Sequence, residues 1–250
     1  MSIAKTRKSF LTFAILLAYV LIWEICFHLF SINKELLPAP SLIISDIWGN
    51  ISYFNSQTLF SVKIIFFGFL SSIIIAPLLA FLVYKIKIFN RLIMPLILSS
   101  QVMPKTALIP LFIIWFEYSS FANFLITFLI SFYPIFSDTL LGCSMIKKEY
   151  YQMMKMFRAN KLEILLKLEL PFSAPYILSS FKTAALYSVI GAITSEIILS
   201  KEGVGYVIQS SFTTGNTLKV FSGIIISTLL GFTFYYITVL LENKVSDKWK

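Results

Sequence analysis

The chain is a succession of long apolar blocks separated by short polar breaks. A helix needs roughly 20 mostly apolar residues to cross a bilayer. By that measure the pattern predicts six spans, at about 9–30, 58–84, 92–116, 121–142, 175–199 and 220–241. Pro95, Pro104 and Pro110 interrupt the third, so kinks are expected there. Residues 31–57 read as a connector with Leu37-Pro38-Ala39-Pro40 and a short amphipathic helix from Ser41 to Trp48. A basic turn (Lys85, Lys87, Arg91) follows the second span, Glu117 to Ser120 make a short turn, and 200–218 is polar and glycine-containing. Six spans use nearly all of the length, which predicts one membrane domain over 1–250 and no soluble catalytic module.

The longest polar interruption, KKEYYQMMKMFRANKLEILLKLELPFSAP from Lys147 to Pro175, lies between the fourth and fifth blocks. Six basic residues (Lys147, Lys148, Lys155, Arg158, Lys161, Lys167) stand against Glu149, Glu163 and Glu169. Its apolar residues keep helical spacing: Met153, Met154, Met156 and Phe157, then Leu162, Leu165, Leu166 and Leu168. That predicts two short amphipathic helices, a hairpin over 147–171. Asn160 and Glu163 form a capping-box pair opening the second helix, and Pro171 and Pro175 are expected to stop it. A plain connector needs only a few residues, so a folded basic hairpin here reads as a surface for contact. By residues alone a helix pair lying on the membrane surface is the commoner case, and docking to a partner protein the other.

Composition narrows the class. With 58% hydrophobic and 13% charged residues, the chain is predicted to be an all-α integral membrane protein. The net charge of +9 reflects loops retained on the inner side of a membrane rather than nucleic-acid binding. Three basic residues precede the first span, three lie at 85–91, six at 147–167, and Lys244, Lys248 and Lys250 close the chain, making 15 of the 21. The opposite side would hold only Lys34, Lys201 and Lys219. This asymmetry predicts that both termini and the hairpin are cytoplasmic, in a multi-pass inner-membrane protein. Lys5-Thr6-Arg7-Lys8 before a long apolar run, with no small-x-small cleavage site, reads as an uncleaved first span. Cys26 and Cys143 have no metal or disulfide spacing and read as buried small hydrophobes. Neither a GxxxxGK[ST] phosphate loop nor a metal-ligand or catalytic cluster is present, so no enzyme activity, cofactor or metal is expected.

Taken together, several motifs carry a resemblance. Leu168-Glu169-Leu170-Pro171 closes the hairpin, Gln152-Met153-Met154 opens it, and Arg158-Ala159 lies between. Leu37-Pro38-Ala39-Pro40-Ser41, Ala107 to Leu111 with Trp115-Phe116, Phe132-Tyr133-Pro134-Ile135 with Gly142, and Ser195-Glu196-Ile197-Ile198 before Gly203-Val204-Gly205-Tyr206 stand elsewhere in the same order. Over roughly 36–241 the sequence resembles the inner-membrane permease subunits of bacterial ABC importers. The closest branch is the one for sulfonate, taurine, nitrate and thiamine-precursor uptake. In that family the hairpin reads Glu-Ala-Ala-x-x-x-Gly, nine residues, then Ile-x-Leu-Pro. Here Gln152 replaces Glu, methionines replace the alanines, and Arg158 stands at the glycine. Because Arg adopts positive φ poorly, either Asn160 takes over the left-handed turn or the hairpin is reshaped.

The resemblance implies a type I permease that works as a homodimer in the lipid bilayer. It also implies a pair of separate ATPase subunits and an extracytoplasmic solute-binding protein. Gln152, Met153, Met154, Lys155, Phe157, Arg158, Ala159, Leu168, Leu170 and Pro171 would then form the ATPase-coupling element. Met153, Met154, Met156 and Phe157 would act as an adaptable plug, with Lys155 and Arg158 facing acids on the groove rim. Glu196, Gly203 and Gly205 are candidates for a gate or outer loop, where Glu196 is expected to cap or anchor the loop rather than bind substrate. Glu24, Lys63, Lys105, Asp138 and Lys182 also lie in or near spans without interpretable pairing, and His28 is expected at an interface. The cargo would be a small polar organic solute or anion. Two alternatives remain: an ion-coupled secondary transporter, and the scaffold subunit of a vitamin uptake system. The first lacks inverted repeats, and the second lacks its usual Ala-Arg-Gly triplets.

Overall fold

The computed structural model describes residues 2–30, 33–116 and 120–246, and among them every regular element is helical. The expected turn at Glu117 and the basic residues Lys248 and Lys250 lie outside the described residues. In chain order the helices are α1 (Ser2–Leu29), α2 (Pro40–Gly49), α3 (Ile51–Lys85), α4 (Lys87–Val102), α5 (Ile109–Phe116) and α6 (Ser120–Ser144). After these come α7 (Lys148–Met156), α8 (Lys161–Ile164), α9 (Leu170–Leu199), α10 (Val204–Thr213) and α11 (Thr217–Ser246). Four helical stretches are long and apolar enough to cross a membrane: Ile51–Lys85, Ser120–Ser144, the continuous Lys161–Leu199, and Thr217–Lys244. Within α1, Leu17–Leu29 is a shorter apolar stretch.

The centre of the molecule is α6 held between α3 and α9, with α11 and α10 packed on α9. Lipid gives helices no hydrophobic reason to associate, so close packing of small residues has to do it. One turn of α6 shows how. A Cβ on Gly68 of α3 would lie 2.5 Å from Thr127 Cγ2, and one on Gly191 of α9 would lie 2.9 Å from Thr127 Cα. Larger residues at 68 and 191 would push both neighbours off α6. Buried hydroxyls along these faces are satisfied locally. Ser131 Oγ donates to the Thr127 carbonyl at 2.8 Å, and the Ser72 and Ser131 hydroxyls stand 2.7 Å apart. Phe66, Phe67, Leu78, Leu229, Phe232 and Leu240 are exposed on the outward faces, as lipid contact requires.

The third block is not one kinked span. Met103 is extended (φ −70°, ψ 126°) because the ring of Pro104 excludes the helical conformation from the residue before it. The chain therefore breaks into α4, a 3-10 turn at Lys105–Leu108, and α5. In the connector, α2 occupies Pro40–Gly49 and α3 already begins at Ile51, seven residues ahead of the expected Thr58. Asn55, Ser56 and Gln57 look like loop residues by polarity, but they lie on a helix whose buried side carries Phe54.

Pro171 and Pro175 do not stop the hairpin's second helix, because α8 runs on into α9 through a π turn at Leu165–Glu169. There the Leu170 amide donates five residues back, to the Leu165 carbonyl. Such a turn holds one extra residue and shifts the carbonyl register ahead of Pro171, which lacks an N–H. The predicted fifth span thus starts before residue 175. Its polar-looking follower 200–218 contains α10 rather than a simple loop.

Candidate functional site: the 147–171 hairpin and the Glu196 loop

The hairpin is built by two local signals. At the end of α7 the Arg158 amide donates to the Lys155 carbonyl (2.9 Å) and the Ala159 amide to the Met154 carbonyl (3.0 Å). That is the Schellman pattern, which requires a left-handed residue between the two helices. Arg158 supplies it, with φ 53°, at the position where a glycine would be easiest. The turn therefore stays in place and does not move to Asn160, which is extended (φ −76°, ψ 172°) and caps α8. Asn160 Oδ1 accepts from the Glu163 amide and Glu163 Oε2 from the Asn160 amide, each at 2.9 Å. Lys167 Nζ donates to Glu163 Oε1 at 3.0 Å. The Asn160 amide first, then Lys167, holds the Glu163 carboxyl below its ordinary range.

This scaffold presents an apolar tip. Met156 is 84% exposed and Phe157 76%, with Leu162, Leu166 and Met153 also open. Gln152, Lys155 and Arg158 are exposed around them. Met154 and Ala159 are half-buried under the Schellman turn, and Leu168 is buried at the hairpin's root while Leu170 is exposed. The sequence-predicted coupling residues thus divide into a presented group and a supporting group. Met156, Leu162 and Leu166 belong with the presented ones, although the motif match does not include them. Their signal in the sequence is an apolar residue at a polar turn with no buried partner nearby.

At the other end of the bundle, Glu196 is buried beneath the start of α10. Its Oε2 accepts from Ser61 Oγ (2.8 Å) and from the Gly205 amide (2.9 Å). Ser61 Oγ in turn accepts from the Val204 amide (2.9 Å), and Gln57 Oε1 from the Gly203 amide (2.6 Å). The first amides of α10 are therefore capped by side chains of α3 and α9. Gly203 has φ 103°, and a Cβ there would collide with the Glu196 carboxylate. At Gly205 a Cβ would meet the Ile193 carbonyl and Glu196 Cβ. Ser61 and Gln57, not singled out from sequence, complete this cluster; only the fold brings them to residues 196–205.

Two of the other charges in or near the spans, Glu24 and Lys182, find partners on other helices. Glu24 caps α2, accepting from the Ser41 amide (3.0 Å) and Ser41 Oγ (2.7 Å), with His28 Nε2 3.1 Å away. Lys182 pairs with Glu242 at 2.8 Å, tying α9 to α11. The Lys105 side chain lies outside the described ones.

Among the described residues, an all-helical bundle with four helices long and apolar enough to cross a membrane and small-residue helix contacts is the arrangement of a helical membrane protein. The chain belongs to the family described as binding-protein-dependent transport system inner membrane component, whose model matches residues 68–247. It is 30% identical over 228 residues, 91% of both chains, to the formylaminopyrimidine transport permease protein ThiX of Halalkalibacterium halodurans. It is 26% identical to the riboflavin transport system permease protein RibX of Chloroflexus aurantiacus, over 91% of this chain and 86% of the relative. Identity to the nitrate import permease protein NrtB of Synechococcus elongatus is 20%, over 83% and 78%. It is thus an integral membrane permease of the ABC-importer class, a transport subunit rather than an enzyme. That class implies an ATPase and a substrate-binding protein as partners.

Proposed function

We propose that this permease couples a separate ATPase pair to import of a small polar organic solute or anion through its 147–171 hairpin. The observation that carries this reading is the apolar tip at Met156, Phe157 and Leu162, left uncovered by its own chain on a rigidly capped, basic hairpin. The Schellman turn at Arg158 and the Asn160–Glu163 box fix the angle between the two short helices. The apolar tip therefore keeps one shape without a partner, which suits insertion into a preformed protein groove. Two copies of the permease would form the path, with α1 and the broken α4–α5 unit as the fifth and sixth crossings. Both termini and the hairpin would be cytoplasmic, as the basic asymmetry predicts. The Glu196–Gly203–Gly205 cluster would fix α10 over the opposite mouth, as an anchor for an outer gate. For the cargo, a formylaminopyrimidine, the solute named for the 30%-identical relative, is the first choice. The test is uptake of labelled formylaminopyrimidine into proteoliposomes holding the permease, its ATPase and its binding protein. ATP-dependent uptake is expected; uptake driven by an ion gradient without the ATPase would replace this reading with a secondary transporter.

A further inference from the structure

Under the hairpin lies a second polar cluster that no motif marks. Glu169, at the end of the π turn, is only 2% exposed. Its Oε2 lies 2.9 Å from Lys85 Nζ, at the last residue of α3. Its Oε1 accepts from the Tyr151 hydroxyl of α7 at 3.4 Å, and the Tyr84 hydroxyl stands 3.3 Å from that of Tyr151. Burial first, then the Tyr84 hydrogen bond and the Glu169 charge, pushes the Tyr151 phenol up and keeps it a proton donor. Lys85 Nζ also donates to the Lys161 carbonyl at 3.5 Å, in the first turn of α8. A further tie is the ring contact of Tyr150 with Phe172, centroids 6.3 Å apart.

Both arms of the hairpin are therefore fastened to the end of one long helix. Glu169 is buried while Lys85 stays in contact with solvent, so screening limits what their attraction adds to stability. What the pair does give is a defined geometry at Glu169, because that buried carboxylate would be left uncompensated if the Lys85 ammonium moved away. The π turn supports that purpose: by holding an extra residue it brings Glu169 onto the α3 side of the hairpin. The α3 helix then continues to Gly68 and Ser61, against α6 and the Glu196 cluster.

We propose that Lys85 and Glu169, with Tyr151 and Tyr84, form a latch around the buried Glu169 carboxylate that makes the hairpin and α3 move as one body. They are positioning residues: they touch neither nucleotide nor cargo, and they pass hairpin displacement to the α3–α6–α9 core. The proposal rests on the coupling reading above.

The experiment measures ATP hydrolysed per solute imported, in proteoliposomes of permease, ATPase and binding protein. Wild type, Glu169→Gln, Tyr151→Phe and the swap Lys85→Glu/Glu169→Lys are compared. Each variant is first checked for ATPase co-purification. With Glu169→Gln the ratio is expected to rise about tenfold, within the 5- to 150-fold span of typical site-to-site couplings. Tyr151→Phe, which deletes one hydroxyl and leaves the fold unburdened, should raise it in the same direction by less. The swap should bring it back toward wild type. A merely structural role would lower the amount of complex without moving the ratio. Unchanged ratios in Glu169→Gln and Tyr151→Phe, with the ATPase retained, overturn the latch and leave the coupling reading standing. If Glu169→Gln does not accumulate, an unchanged ratio in Tyr151→Phe overturns it alone. Failure of the wild-type permease to hold its ATPase overturns the coupling reading itself.

Discussion

Ser61 Oγ on α3 donates a 2.8 Å hydrogen bond to Glu196 Oε2 on α9, across 135 positions of sequence. The same hydroxyl accepts from the Val204 amide, so one serine joins α3, α9 and the first turn of α10. Removing it leaves a buried amide and a buried carboxylate each short of a partner. Ser61→Ala is expected to destabilise the permease by about 1–3 kcal/mol, read as a lower Tm in detergent. Ser61→Thr keeps the hydroxyl and should lose much less.

Gly203 and Gly215 separate two effects of glycine. Gly203 combines φ 103° and ψ 165°, a region only glycine occupies readily, with a carboxylate where a Cβ would go. Gly215 has φ 72° and nothing within 4 Å. Gly203→Ala should therefore destabilise by at least about 1–3 kcal/mol, and Gly215→Ala by only about 1–2 kcal/mol. Thermal unfolding of the two variants side by side checks the order.

Arg158 gives a prediction of opposite sign. Its left-handed conformation is strained by roughly 1–2 kcal/mol relative to glycine, partly offset by the greater freedom of glycine in the unfolded chain. Arg158→Gly is thus expected to raise hydrogen-exchange protection of the Ala159 amide. Arg158→Glu should instead weaken ATPase retention, and more so at low salt, as a screened charge contact would.

The 15 basic residues assigned to one side predict the membrane orientation. Reporter fusions at the termini and within 85–91 and 147–170 should read cytoplasmic, while fusions within 31–57 and 200–218 should read outside. A hairpin on the outside would remove any route to a cytoplasmic ATPase.

Much of this architecture was legible in the chain because its causes are local. The apolar centres of α3, α6, α9 and α11, the Asn160–Glu163 box and the hairpin are each written within a few consecutive residues. Other features depend on partners distant in sequence. The early start of α3 was hidden because Gln57 and Ser61 read as loop and span residues until α10 is placed above them. Pro171 looked like a stop because nothing in the sequence marks a π turn. Lys85 and Glu169 read as ordinary loop charges, since a pair 84 positions apart has no spacing to recognise. Arg158 shows the reverse case: the helix–turn–helix register outweighed the residue's own preference.

The most direct test of the central claim is co-purification of the ATPase with Phe157→Asp and Met156→Asp permeases, normalised to permease abundance in the membrane. Both side chains are presented by the hairpin and support no internal packing, so the variants should fold. Covering each is expected to stabilise the interface by roughly 1.5–3 kcal/mol, and a buried aspartate would oppose it further. Both variants are expected to insert at wild-type levels and to lose the ATPase. Retention of the ATPase at wild-type levels by both would contradict it, and would leave the hairpin as a helix pair resting on the lipid surface.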